Sequence, residues 1–260
     1  MSETSKPKQV PVKAEKPKFK FPTEMVELPS KGLIYPEDNP LSSGTIEMKY
    51  MTAKEEDILT NQNYMAKGLV IEKLIDALIV SDVDAKDLII GDKNALLVAS
   101  RVLGYGKDYE FEYRGENYKI DLSLLENKDV DYSIFNERKN EFSYTLPHSE
   151  TLVTFQIMTE RIERKIEAEL RGLKKINKDA NPEMSTRMKH IILSVDGNTD
   201  RKDIREFVDT YLLARDAKAL RDYIVKMQPD VNFVFERELP DGGYEDTEIP
   251  IGATFFFPNP

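Results

Sequence analysis

The order in which hydrophobic periodicities succeed one another restricts this chain's fold more than any local motif does. Apolar residues recur at helical spacing in consecutive blocks, whereas alternating stretches come in closely spaced pairs. A parallel sheet requires a crossover, usually a helix, between neighbouring strands. An order of turn, strand, three helices, hairpin, hairpin, helices and hairpin does not supply it. The expected class is therefore α+β, a helical core with small antiparallel β-hairpins.

The individual elements follow from spacing and punctuation. Leu28 to Gly32 reads as a turn and Pro36 to Gly44 as a loop. Thr45 to Tyr50 alternates as a strand with one wet face. Thr52, with Glu55 three residues on, opens a helix as a capping box. Ile71, Leu74, Ile75, Leu78 and Ile79 make one apolar face over about 67–80. A third helix is expected over about 92–103, with Asp92 as cap and Gly104 and Gly106 as stop. Tyr109 to Tyr113 and Tyr118 to Leu122 alternate about Arg114-Gly115-Glu116-Asn117, a hairpin. Phe142 to Leu146 and Leu152 to Gln156 predict a second hairpin, and Thr159 caps a helix reaching about 176. Helices are expected over about 184–194, 201–213 and 216–227. A last hairpin joins Val231–Phe235 to Glu248–Phe257 across Asp241-Gly242-Gly243.

Charge divides the chain further. Residues 1–22 hold six Lys, two Glu and four Pro, a balance of +4. Since the whole chain carries −10, the remaining 238 residues carry −14. The basic stretch has too little apolar surface to offset its ordering entropy, so it is expected to be a disordered tail. Its lysines suit an acidic partner or the chain's own acidic body. The expected organisation is tail (1–22), an N-terminal α+β domain (23–130) and a C-terminal domain of hairpin, helices and hairpin (131–260).

The acidic balance argues against broad nucleic-acid binding, which wants a basic face. Zero Cys excludes disulfides, thiolate zinc sites and thiol nucleophiles. No apolar run of about 18 residues is present to cross a membrane, and the N-terminus lacks a signal peptide's apolar core. A soluble, cytoplasmic chain is expected. Neither a phosphate loop nor a dinucleotide fingerprint nor a nucleophile elbow occurs. Asp82, Asp84 and Asp87 lack the other ligands of a calcium loop and read as a polar connection. His148 and His190 read as surface residues. Arg101 is expected to cap carbonyls or, preferably, to pair with a carboxylate, and Arg215-Asp216 reads as a structural ion pair. No catalytic, cofactor-binding or metal-binding residue is expected, and no cofactor.

The helix from Thr159 carries Ile162, Ile166, Leu170, Leu173 and Ile176 in a narrow stripe between charged residues. Such a seam serves as a core contact or as a partner contact. With the tail lysines (Lys6, Lys8, Lys13, Lys16, Lys18 and Lys20) and the terminal Phe255, Phe256 and Phe257, the seam residues Ile162, Ile166, Leu170 and Leu173 are the candidate partner-binding groups.

Leu28-Pro29-Ser30-Lys31-Gly32-Leu33-Ile34-Tyr35 is followed by Gly44, a strand and Met51-Thr52-Ala53-Lys54-Glu55-Glu56. Gly68, Asp92, Leu96-Leu97 and Arg101-Val102-Leu103-Gly104-Tyr105-Gly106-Lys107-Asp108-Tyr109 come next. Leu220-Arg221-Asp222-Tyr223, Pro229 and Phe255-Phe256-Phe257-Pro258 close the succession. Over most of residues 24–260 this order resembles the baseplate hub subunits and hub assembly proteins of T4-like contractile-tailed bacteriophages. Relatives of this kind often carry Cys pairs in the hairpins after Tyr109 and Val231. Here Phe111-Glu112-Tyr113-Arg114-Gly115-Glu116 and Phe235-Glu236-Arg237-Glu238 stand there instead. The resemblance thus implies two metal-free knuckles resembling zinc ribbons, held by Tyr109, Phe111, Tyr118 and the C-terminal Phe residues.

The resemblance implies a non-enzymatic role: a chaperone-like assembly factor or subunit of the hub, acting through protein contacts in tail morphogenesis. The alternative is a permanent structural component of the baseplate or tail. A carboxylate-dependent metal hydrolase is a third reading, resting only on the surplus of Asp and Glu. Implied partners are other baseplate hub or tail proteins, the tape-measure protein among them, with self-association also open. Neither nucleic acid nor membrane is an expected partner. The expected location is the host cytoplasm during assembly, or the virion tail.

Overall fold

A computed structural model describes residues 22–176, 182–239, 242–251 and 255–256. It has the α+β class expected: among the described residues, eight α-helices and four small antiparallel sheets of two or three strands. Strand β1 (Thr23–Glu27) pairs with β2 (Thr45–Lys49), Val26 opposite Ile46. The alternation of β2 puts Ile46 and Met48 in the core. Between the two strands the chain loops out and returns, and the Leu28 N–H reaches the Gly44 carbonyl at 2.8 Å. Gly32 allows that return. Its φ is +73°, and a Cβ there would sit 2.5 Å from the Ser42 carbonyl oxygen.

Helix α1 (Ala53–Leu59) starts where the Thr52–Glu55 pattern places it. The Glu55 carboxylate accepts from the Thr52 N–H at 3.1 Å and pairs with Lys49 at 2.9 Å. A short helix α2 (Gln62–Lys67), missed by periodicity, is set by Asn61, whose side chain accepts from the Asn63 and Tyr64 N–H groups. Helix α3 (Val70–Leu78) buries Leu74, Ile75 and Leu78. Helix α4 (Ile90–Tyr105) begins earlier than expected. Ile89 is its cap, and the Lys93 N–H to Ile89 carbonyl bond at 3.0 Å starts the helix. Asp92 therefore lies inside the first turn and does not cap. Its neighbour Gly91 is there for contact, since a Cβ would lie 1.9 Å from the Pro229 carbonyl oxygen.

Strands β3 (Asp108–Tyr113) and β4 (Glu116–Asp121) form the expected hairpin. Its turn is tighter than expected: Arg114 and Gly115 alone make it, both at positive φ, which matches the strands' twist. Strands β5 (Phe142–Thr145) and β6 (Leu152–Phe155) form the second hairpin, but β7 (Ile192–Val195) adds a third strand along β6. That corrects the expected helix over 184–194, which ends as α6 (Glu183–Ile191). The run Ile191-Ile192-Leu193 fits either period, and the open edge of β6 decides. There Thr154 and Ser194 hydroxyls meet at 2.7 Å.

Helix α5 (Glu160–Ile176) precedes α6. The helix expected over 201–213 is instead α7 (Arg201–Glu206) followed by a π-helical turn over Phe207–Tyr211, closed by the Leu212 N–H on the Phe207 carbonyl at 2.8 Å. Helix α8 (Ala214–Met227) follows. The last hairpin, β8 (Val234–Glu238) and β9 (Tyr244–Glu248), is shorter than expected, because Val231 bridges to Asn127. Asp241 and Phe257 lie outside the described residues.

One buried cluster runs from Leu28 to Phe256 and crosses the expected 130/131 boundary. Polar contacts cross it too. The Tyr109 hydroxyl donates to the Pro250 carbonyl at 2.7 Å, and the Tyr132 hydroxyl to the Pro29 carbonyl at 2.9 Å.

Candidate interaction surfaces

Helix α5 splits its apolar stripe. Ile162 and Ile166 are buried, Leu170 and Leu173 are half-buried, and Ile176 is 87 % exposed. The buried pair lies outside the main cluster, because α5 rests on the Ala85–Asp87 turn and on α6 at the edge of the fold. Burial of two isoleucines is worth roughly 3–6 kcal/mol before entropy. The stripe is thus a core contact at one end and an open surface at the other, so the sequence's two alternatives both occur on one helix.

Charge fastens the closed end. Lys93 pairs with Glu160, and Arg164 with Glu72. Arg161 reaches Asp84 at 2.9 Å and Asp87 at 2.7 Å, so those acids of the polar connection anchor a helix. Arg187 grips both oxygens of Glu163 at 2.8 Å. Farthest along, Glu169 takes both Arg205 nitrogens at 2.9 and 3.0 Å and the His190 ring at 2.8 Å. The Arg205 guanidinium, helped by His190, holds the Glu169 carboxyl down at about 2. His190 is therefore not the idle surface residue expected. Beyond Glu169, among the described residues, no ion pair ties α5 to another element.

The most site-like polar clusters are sealed inside. Asp92 is fully buried in α4. It accepts from the Ser30 N–H at 2.9 Å, the Ser30 hydroxyl at 2.6 Å and the Tyr35 hydroxyl at 2.6 Å. The Tyr35 oxygen in turn accepts the Ile89 N–H at 3.0 Å. Burial pushes the Asp92 carboxyl up to about 6, against the pull of those donors. The Ser30–Tyr35 turn is thereby clasped to the start of α4. Asp216 repeats the device at the start of α8. It is fully buried and accepts the His148 and Ser149 N–H groups at 2.9 and 3.0 Å. Burial would raise its pKa, but these N–H groups outweigh that and hold it below the ordinary value. The Arg215-Asp216 ion-pair reading is corrected accordingly: Asp216 holds a loop backbone. Arg101 likewise binds carbonyls, those of Gly106 at 2.8 Å and Asp108 at 2.9 Å, and not a carboxylate.

A groove of about 550 Å³ runs between β1, α4 and the segment after β4. Its floor includes Val98, Val102 and Leu122, and Glu24 and Glu27 stand on its rim. Sequence reasoning missed it because five separate segments build it. The available signal was in α4, whose Ala95-Leu96-Leu97-Val98-Ala99 and Val102-Leu103 are apolar over more than one face.

The two Cys-free hairpins are held by aromatic packing. Tyr109 meets Phe255 at 5.0 Å, Phe111 meets Tyr118 at 5.9 Å, and Phe235 meets Phe111 at 5.2 Å and Tyr118 at 5.0 Å. Phe255 and Phe256 are 0 % and 3 % exposed, which suits the expected support of the hairpins and leaves neither ring on the surface as a candidate partner contact. Lys16, Lys18, Lys20 and Phe257 lie outside the described residues. Among the described residues, no group of three or more His, Asp or Glu side chains is placed to hold a metal ion, and no helix is long and apolar enough to cross a membrane.

No family model, curated protein or solved structure matches the chain.

Proposed function

We propose that this chain acts through protein–protein contact, as an assembly factor for the baseplate hub of a contractile phage tail. The motif succession from Leu28 to Tyr109 and from Leu220 to Pro258 supports the choice of system. The observation that carries the mode of action is the open end of α5, with Leu170 and Leu173 half-buried and Ile176 exposed. Glu167, Arg171, Lys174 and Lys175 surround that strip. A small apolar strip with a charged rim suits a reversible contact better than a permanent one, which buries a larger apolar area.

Co-expression with the hub and tape-measure proteins of a contractile-tailed phage tests the reading. The chain is expected to co-purify with one of them. A Leu173→Asp/Ile176→Asp chain is expected to lose that capture with an unchanged melting temperature. Capture of no tail protein contradicts the function, and undiminished capture by the double variant contradicts the surface. Mass spectrometry of purified virions separates helper from permanent part: an assembly factor is absent from mature particles.

A further inference from the structure

We infer that the groove beside β1 is a docking site for an extended segment of another protein, which joins β1 as a third strand. The register of the sheet says which groups β1 offers. The Tyr50 N–H bonds the Pro22 carbonyl at 3.1 Å and the Leu28 N–H the Gly44 carbonyl at 2.8 Å. Even-numbered residues of β1 therefore face β2. The odd-numbered Glu47 of β2 turns the other way, as that phase requires, and its carbonyl accepts the Val80 N–H at 2.8 Å. Thr23, Met25 and Glu27 thus direct their N–H and C=O groups away from β2. Among the described residues, no hydrogen bond meets those groups.

Beside that open edge lies apolar surface. Ala95, Val98, Ala99, Val102 and Leu103 recur at helical spacing and make one face of α4. All five line the groove, and Leu122 and Leu125 line it from the segment after β4. The fold leaves this helix face incompletely covered: Ala99, Val102 and Leu103 are only half-buried. Met25, which also lines the groove, is 59 % exposed.

The chemistry of the occupant follows. A row of free N–H and C=O groups selects an extended backbone. Side chains of such a segment alternate, so every second one meets the α4 face and is apolar. The others lie on the outer face of the sheet, which carries the side chains of Thr23, Met25 and Glu27. Glu27 is exposed there, and among the described residues no lysine or arginine pairs with it. Opposite charges on neighbouring strands attract, so the occupant carries Lys or Arg on that face. A second copy of the chain is the poorer fit. Pairing β1 with itself would set the Glu24 of one chain over the apolar α4 of the other, and chains of net charge −10 repel. The groove shares no residue with the open end of α5, so its test is independent of capture by a tail protein.

The register also supplies the test. Full-length chain with isotope-labelled methyl groups is titrated with a synthetic peptide of alternating Lys and Val. Signals of Val98, Val102 and Leu103 are expected to shift, while those of Ile176 and Val225 stay. Met25→Pro removes an outward N–H and no bond to β2, a change that an open strand edge tolerates. It is expected to weaken binding about tenfold at an unchanged melting temperature, and Met25→Ala, which keeps the N–H, by less than about threefold. Glu27→Lys, which leaves the backbone alone, is expected to weaken binding about threefold. A peptide of the same composition with its valines in one block is expected to leave the groove signals in place. Equal shifts from the block peptide, or undiminished binding in Met25→Pro or Glu27→Lys, overturns the proposal. No shift at about millimolar alternating peptide overturns it as well. Sedimentation of the chain alone checks the second copy: a dimer that Met25→Pro dissociates would assign the groove to self-association, and the proposal fails.

Discussion

The two ends of helix α5 obey the same sequence pattern and meet opposite fates. At its start, Ile162 and Ile166 are buried, and ion pairs lead to Glu72, Asp84, Asp87 and Lys93. Main-chain bonds seal that end onto α4: the Ile90 N–H reaches the Met158 carbonyl, and the Glu160 N–H the Leu88 carbonyl, both at 3.1 Å. Asp92, with its clasped turn, lies two residues on from Ile90, in the same first turn of α4. At the other end, Leu173 is half-buried, Ile176 is exposed, and the last fastening is Glu169. A periodic stripe thus specifies a helix and its apolar face. It does not say how far along the helix the rest of the chain covers that face.

The contrast breaks most readily at Ile166. Ile166→Asp puts a carboxylate into a fully buried apolar site and is expected to cost about 3–5 kcal/mol, read as a lower urea midpoint. An unchanged midpoint would mean that the closed end is not closed.

Next in size comes the pH response of Asp92. A carboxyl raised to about 6 binds its proton more tightly in the folded state than in the unfolded chain. Its contribution is therefore fully present below about pH 4 and is lost as pH rises through 6, about 3 kcal/mol in all. Asp92→Asn is expected to flatten stability over that window. An unaltered slope would show that Asp92 is better solvated than its burial implies.

Glu169 has the opposite sign. Its carboxyl is depressed to about 2, so its contribution is present above about pH 4.5 and lost as pH falls through 2. At the partly exposed end of the helix, Glu169→Gln is expected to cost about 1 kcal/mol at pH 7 and progressively less in acid. A loss as large as that at Ile166 would make the two ends equivalent. The smallest effect is expected at Ile176, where Ile176→Asp should change stability by less than about 0.5 kcal/mol.

Helix α5 was legible because its stripe and its charged flanks agree over four turns. The sequence could state only that its seam was core or contact, since coverage depends on α6 and on the Ala85–Asp87 turn, distant in the chain. Asp92 was misread for a related reason. A polar residue before Leu96 looks like a cap, yet its partners Ser30 and Tyr35 lie about sixty residues upstream. No spacing rule reaches that far. Strand β7 escaped because three consecutive apolar residues satisfy both periods, and only the edge of β6 chooses. The terminal aromatics have two readings in the sequence, as partner contacts and as supports for the two hairpins, and their burial against Tyr109 fits the second. Tyr109 and Pro250, which draw that end inward, are neighbours only after folding.

Amide hydrogen exchange along α5, with and without a purified hub protein, reads the closed and the open end of the helix in one experiment. Bound protein is expected to slow exchange over residues 168–176 and to leave 160–166 as protected as before. Slowing across the whole helix, or none at either end, would contradict it.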